Sequence, residues 1–264
     1  MTERLILTRN TCVRRSEPGG SRPEAFPLSQ AAGIILSAGF GTRMLDITHG
    51  RIAKHTLQLK PALLILDNPL GIMRRAGIRN IYIATQSSTH DSLRRVVKGN
   101  DEYDGIYYVP LGTYSPQPTI DSLQTVVREH EIQTVVIKMD GDEALLDFDL
   151  QEMYESHIRN QQPVTCLLST FTDGSEKYRV WLDYDERIKA VREAVGVSAD
   201  GGYALTGVWI INPSQFGLLN ESKTPGEFMR KCIAAGLLYG YVYQGRFFNI
   251  NTPQDLISAR RALK

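Results

Sequence analysis

Gly33-Ile-Ile-Leu-Ser-Ala-Gly-Phe-Gly-Thr-Arg43 decides the fold of this chain. Ile34-Ile35-Leu36 is an apolar run that passes straight into small residues and glycines and ends on one fixed positive charge. A buried strand followed by a glycine-rich turn is how α/β proteins bring backbone N–H groups against a phosphate chain. Gly39 and Gly41 permit positive φ and close approach of a ligand to the main chain. The Arg43 guanidinium can fork two donors onto phosphate oxygens. Lys54 follows eleven positions later. Two familiar phosphate loops are excluded. The third glycine of the dinucleotide fingerprint falls on Met44, and Gly41 is followed by Thr42-Arg43 rather than by the Lys-Ser/Thr of a P-loop.

Apolar runs at 33–37, 80–84, 105–109 and 133–138 alternate with amphipathic stretches, which predicts a mostly parallel sheet covered on both faces. Pro69 and Gly71 inside the helical pattern 61–76 predict a broken or kinked helix. Beyond residue 160 the runs 163–170, 178–184, 187–192 and 203–211 read as strands with short connections, followed by a helix over about 225–236. Thr252-Pro253-Gln-Asp255 reads as a helix start, with threonine as N-cap, proline at N1 and an acid at N3, leading 253–263. We expect residues 1–32 to be an N-terminal extension, loose or with a short strand at Leu5-Ile-Leu7, and 33–264 to form one domain.

With 264 residues, 42% of them hydrophobic, the chain can bury a large core. Thirty basic residues stand against 29 acidic ones, which argues against nucleic acid as the main partner. No apolar run reaches membrane-spanning length. The three cysteines are widely spaced, form no Cys-x-x-Cys pair and fit a reducing cytoplasm. The five histidines show no metal spacing; His49 and His55 flank Lys54 and could line the active loop, with the surface as the default expectation for all five. Homo-oligomerisation is left open.

Leu36-Ser-Ala-Gly-Phe-Gly-Thr-Arg-Met44 resembles the signature of the sugar-1-phosphate nucleotidyltransferases. Lys54 resembles that family's following lysine, although Ala53 and His55 replace its flanking prolines. Lys60-Pro61 resembles the pair opening the next helix, and Ala76-Gly-Ile-Arg-Asn-Ile81 the segment ending it. The resemblance implies a three-layer α/β/α sandwich with a mixed sheet, of the nucleotide-diphospho-sugar transferase (Rossmann-like) type. It implies Mg²⁺-dependent in-line attack of a phosphorylated acceptor on the α-phosphorus of an NTP, with pyrophosphate leaving.

Within that resemblance, Leu36, Ala38, Gly39, Phe40, Gly41 and Thr42, with Gly112 and Thr113, correspond to NTP-binding positions. Arg43, Lys54 and Asp142 correspond to catalytic ones. Lys138-Met-Asp140-Gly-Asp142-Glu143 follows an apolar run and puts the family's metal-binding acid on Asp142. Phe247-Phe-Asn249-Ile-Asn251-Thr-Pro253 puts the second metal ligand on Asn249, an amide where most relatives have a carboxylate. Its carbonyl is an acceptable Mg²⁺ donor without charge. Glu193 and Gly207 correspond to acceptor-binding positions, but the lysine that usually follows the glutamate is missing. Trp209 reads as a core residue. That missing lysine and the altered 114–118 segment keep two alternatives open. One is a cytidylyltransferase for a non-sugar acceptor such as phosphocholine or a phosphonate. The other is a non-catalytic nucleotide-sugar-binding regulator.

Overall fold

The structure is a computed structural model that describes residues 26–39, 41–50, 52–98, 105–112, 119–171, 178–193 and 202–263. In chain order the elements are β1 (Ala32–Ser37), α1 (Leu45–Thr48), β2 (Gln58–Lys60), β3 (Leu63–Leu64), α2 (Asp67–Arg75), β4 (Asn80–Gln86), α3 (Ser87–Lys98) and β5 (Ile106–Leu111). Then come α4 (Thr119–Glu129), β6 (Val136–Asp140), β7 (Glu143–Leu145), α5 (Leu150–Arg159), β8 (Val164–Ser169), β9 (Tyr178–Leu182) and β10 (Ile188–Glu193). The chain closes with β11 (Tyr203–Ile211), α6 (Phe216–Asn220), α7 (Pro225–Ala234), β12 (Leu238–Tyr243), β13 (Phe247–Asn249) and α8 (Pro253–Ala262).

A nine-stranded mixed sheet runs through the molecule in the order β10-β9-β11-β6-β1-β4-β5, with β8 pairing β11 and β12. Pairing is parallel across β6, β1, β4 and β5. It is antiparallel where β11 meets β6, β8 and β9. All six residues of β1 are buried, as a central parallel strand covered on both faces requires. Its side chains alternate between two cores. Ile35 packs with Leu70, Met73, Met153 and Tyr154 from α2 and α5. Ile34 and Leu36 pack with Ile120, Leu123 and Val126 of α4 and Phe228 and Met229 of α7. The result is the expected three-layer α/β/α sandwich. A third, smaller core gathers Met44, Leu59, Phe248, Ile250 and Leu256 beneath the two-stranded ribbon of β7 and β13.

Several expectations are corrected. Residues 61–66 turn and contribute β3, and α2 starts only at Asp67, so Lys60-Pro61 does not open a helix. Pro69 then falls in the first turn of α2, where its missing N–H is not needed, and it causes no break. The fourth strand runs over Val136–Asp140 rather than 133–138, because Lys138 and Asp140 pair with each other and carry their charge inside the sheet. The strand β12 escaped notice. Among the histidines, His55 and His157 are buried, not on the surface. The His157 ring nitrogens lie 2.8 Å from Thr165 Oγ1 and 3.0 Å from Asn212 Oδ1. The expected extension over residues 1–25, with Leu5–Leu7, lies outside the described residues. Among the described residues no helix is long and apolar enough to cross a membrane.

Candidate active site

The carboxyl ends of β1 and β6 lie side by side in parallel register, Leu36 opposite Asp140. Ligands of open α/β sheets bind beyond such strand ends. A cavity of about 490 Å³ opens there. Leu36, Ala38, Gly39 and Arg43 line it from the β1 side, Asp140 and Asp142 from β6, and Asn249 and Asn251 from the end of β13. Thr119 and Ser122 from the first turn of α4, together with His55, complete it.

Of the two glycines in the turn, Gly41 takes a positive φ and Gly39 does not. Gly41 adopts φ 60°, in the left-handed region, and caps a single 3₁₀ turn over Thr42–Met44. The aliphatic stem of Lys54 lies 3.5 Å from where a Cβ on Gly41 would stand, so loop and lysine are packed together. Arg43 is exposed at the cavity and forms no ion pair among the described residues. Its guanidinium is available to an anion.

Asp142 is placed by tight backbone contacts. The Gly141 N–H donates to Leu36 O at 2.9 Å, and a Cβ on Gly141 would stand 2.1 Å from Ser37 Oγ. Only glycine lets the β6 turn lie this close to β1. The next residues form β7, which pairs antiparallel with β13 and sets Asn249 opposite Glu143. The other edge of β7 is satisfied by Asn68 of α2, whose amide exchanges two hydrogen bonds with Leu145 at 3.0 and 2.9 Å. Ile250 N–H donates to Asp142 O at 2.8 Å. Beyond it the expected capping box is present: the Thr252 hydroxyl accepts from Asp255 N, while the Asp255 carboxylate accepts from the N–H groups of Asn251 and Thr252. This box pins the loop that carries Asn249 and Asn251.

A polar chain joins these groups. The Lys54 ammonium donates to Asp142 Oδ2 and, at 3.1 Å, to Asn251 Oδ1. Asn251 Nδ2 donates to Asn249 Oδ1. Burial pushes the Asp142 carboxyl up, but the charge of Lys54, helped by His55, outweighs it and holds Asp142 below the usual carboxylate range. Asp140 goes the other way, raised mainly by burial despite Lys138, with Asp142 adding to the rise. Glu143 is pushed well above its ordinary value by burial and by Asp140. Burial also lowers His55 to about 4, so its imidazole is neutral, and its buried Nδ1 has no hydrogen-bond partner among the described residues.

The donor set fits a hard divalent cation. Asp142, Asp140 and Asn249 offer oxygens to one cavity. Among the described residues no group of three histidines, cysteines or acids forms a metal cage. Mg²⁺ takes one or two carboxylates and completes its shell with water and phosphate.

The remaining predicted residues divide. Phe40 and Thr113 lie outside the described residues, and Gly112 is exposed at the edge of an undescribed stretch. Glu193 ends the sheet-edge strand β10, exposed and outside the cavity lining. Gly207 is buried beside the cavity, and its N–H points at both Glu143 carboxylate oxygens, at 2.9 and 2.8 Å. Trp209 is a core residue, as expected. Sequence reasoning gave Asn251 no role and kept His55, beside Lys54, on the surface only by default. The available signal was their departure from the surrounding motif: histidine for proline beside Lys54, and asparagine for glycine before Thr252.

The chain is 25% identical over 240 residues to the D-glycero-α-D-manno-heptose 1-phosphate guanylyltransferase of Aneurinibacillus thermoaerophilus, covering 88% of this chain and 97% of that one. It is 23% identical over 246 residues to the glucose-1-phosphate adenylyltransferase of Shewanella baltica (strain OS185), covering 82% of this chain but 58% of the longer relative. Its fold is similar to that of a Bacillus anthracis protein described as a glucose-1-phosphate thymidylyltransferase, solved with sucrose. The TM-score is 0.75 at 18% identity, over 88% of this chain and 95% of that one. The nucleotidyl transferase family matches residues 32–243, which include β1, the glycine-rich turn, Lys54 and Asp142. The chain therefore belongs to the nucleotidyl transferase family.

Proposed function

We propose that the protein joins a nucleoside triphosphate to a sugar 1-phosphate, giving an NDP-sugar and pyrophosphate. The observation that carries this reading is the meeting of Arg43, His55, Asp140, Asp142 and Asn249 in one cavity at the ends of β1 and β6. The named relatives all act on sugar 1-phosphates, which favours a sugar acceptor over phosphocholine or a phosphonate.

The chemistry asks little proton transfer of the protein. A phosphate monoester is already ionised, and its oxygen can attack the α-phosphorus in line while pyrophosphate departs. Catalysis is then positioning and charge neutralisation. Backbone N–H groups of residues 39–42 cradle the triphosphate, and Arg43 offsets charge growing on the leaving pyrophosphate. Lys54, aimed into the site by Asp142 and Asn251, supplies a fixed positive charge for the α-phosphate. Asp142 and Asn249 would hold Mg²⁺, which when bound would supply further neutralisation of phosphate charge. Glu193 and Gly207 are proposed on the acceptor side, Gly207 by shaping the backbone rather than by offering its N–H. The buried free thiols of Cys166 and Cys232 favour a reducing compartment, and we assign the protein to the cytoplasm.

A pyrophosphate-release screen tests the reading: ATP, CTP, GTP, UTP and TTP against sugar 1-phosphates, phosphocholine and a phosphonate, with Mg²⁺. Turnover with a sugar 1-phosphate, abolished in Asp142→Ala, is the expected result. Turnover only with a non-sugar acceptor, or none with any pair, would sink it.

A further inference from the structure

The oxygens at the ends of β6 and β7 are not equivalent. Glu143 is buried, with both oxygens turned to Gly207 N–H and away from the cavity. One Asp142 oxygen is held by Lys54. The Asn249 oxygen accepts from Asn251 and carries no charge. Asp140 differs from all of these. Its Oδ1 lies 2.7 Å from the Lys138 ammonium, while its Oδ2 accepts no hydrogen bond among the described residues. Its side chain is 28% exposed and lines the cavity, whereas that of Lys138 is 2% exposed. Lys138 sits 5.0 Å from the centre of the Trp209 ring, on the β11 side. The lysine anchors one oxygen from within the sheet and leaves the other facing the site.

Gly207 makes room for this carboxylate. A Cβ there would stand 2.3 Å from Asp140 Oδ2 and 2.6 Å from its Cγ. Any side chain at 207 would push Asp140 out of position. Independently, His55 lines the same cavity, and its buried Nδ1 has no hydrogen-bond partner among the described residues.

We propose that Asp140 is a second carboxylate ligand of the divalent cation, held in place by Lys138 and accommodated by the missing side chain of Gly207. This rests on the metal reading given under Proposed function. It goes beyond that reading by naming a ligand outside the Asp142–Asn249 pair. It gives the cation two carboxylates and one amide oxygen, a donor set typical of Mg²⁺ with water and phosphates completing the shell.

The test is Mn²⁺ binding to the full chain, read by the loss of the free-ion electron paramagnetic resonance signal, with no turnover involved. The variants are Asp142→Asn, Asp140→Asn, Gly207→Ala and Lys138→Met/Asp140→Asn, the last so that no buried ammonium is stranded. Melting curves accompany each. The expected result is Mn²⁺ affinity weakened about 10-fold or more in all four, as for loss or displacement of an oxygen ligand. Asp140→Asn and the double variant binding Mn²⁺ as the wild type does, while Asp142→Asn loses it, would overturn the assignment of Asp140 alone. Unchanged binding in Asp142→Asn as well would overturn the metal reading itself. If the Asp140 variants fail to fold, Gly207→Ala decides: wild-type affinity there overturns the proposal.

Discussion

Lys54→Met probes the site through stability rather than rate. The Lys54 and Asp142 side chains are 6% and 20% exposed, so this is an interior pair and not a surface one. Removing one partner of a buried pair strands the other charge, at about 3–5 kcal/mol. Water reaches part of Asp142, which argues for the lower end, about 3 kcal/mol. The Lys54 bond to Asn251 Oδ1 is lost as well. For a chain of this size about 3 kcal/mol corresponds to a melting shift of roughly 6–12 °C. Lys54→Met/Asp142→Asn replaces the pair by neutral groups and should recover much of the loss, because a neutralised buried pair costs far less than a broken one.

The pH dependence follows from the sign of the shift. Lys54 is the main charge holding Asp142 below its ordinary value. A depressed carboxyl contributes stability that is present above its unfolded pKa and lost as pH falls through the folded one. The gap between wild type and Lys54→Met should therefore be full at neutral pH and close below about pH 4. Thermal and urea melts in EDTA, across pH, measure it. A variant melting with the wild type at pH 7, a pH-independent gap, or strictly additive single losses would refute the argument.

Arg43→Ala should lower kcat by about 100-fold or more if the guanidinium meets charge that develops in the transition state. Steady-state kinetics decide, and a change confined to KM would make Arg43 an ordinary binding residue. Asn249→Asp should keep turnover and bind Mg²⁺ more tightly, while Asn249→Ala should raise the Mg²⁺ requirement. An unchanged Mg²⁺ titration in Asn249→Ala would remove this residue from the site. Glu143 is raised by burial and by Asp140, so its ionisation costs stability as pH rises through its folded pKa. Glu143→Gln escapes that cost, and its melting temperature relative to wild type should climb between pH 5 and 8; a constant difference would contradict it.

The parts legible in the sequence are those where local chemistry and long-range position coincide. Ile34-Ile35-Leu36 reads as a buried strand because the apolar run is short and passes straight into a glycine turn, and all six residues of β1 are buried. The capping box at Thr252 and Asp255 is a contact three residues apart, so it was readable directly. The positions of Asn249 and Asp142 were readable only through the family resemblance, since a ribbon pairing β7 with β13 joins segments about a hundred residues apart. What stayed hidden shares one cause. Lys138 and Asp140 look like the end of a strand because their charges break an apolar run. In the folded chain the two neutralise each other, Trp209 covers the lysine, and Gly207 leaves space for the acid. The charged pair lies on β6 and the residues that cover it on β11, and no window of sequence contains both. His55 is buried as well, which its neighbours in sequence do not reveal. A polar residue whose partner comes from another strand reads as surface in one dimension. Asp140 and His55 line the cavity beside Arg43, Asp142 and Asn249, which the motifs do mark, so what one dimension hides at this site is burial rather than position.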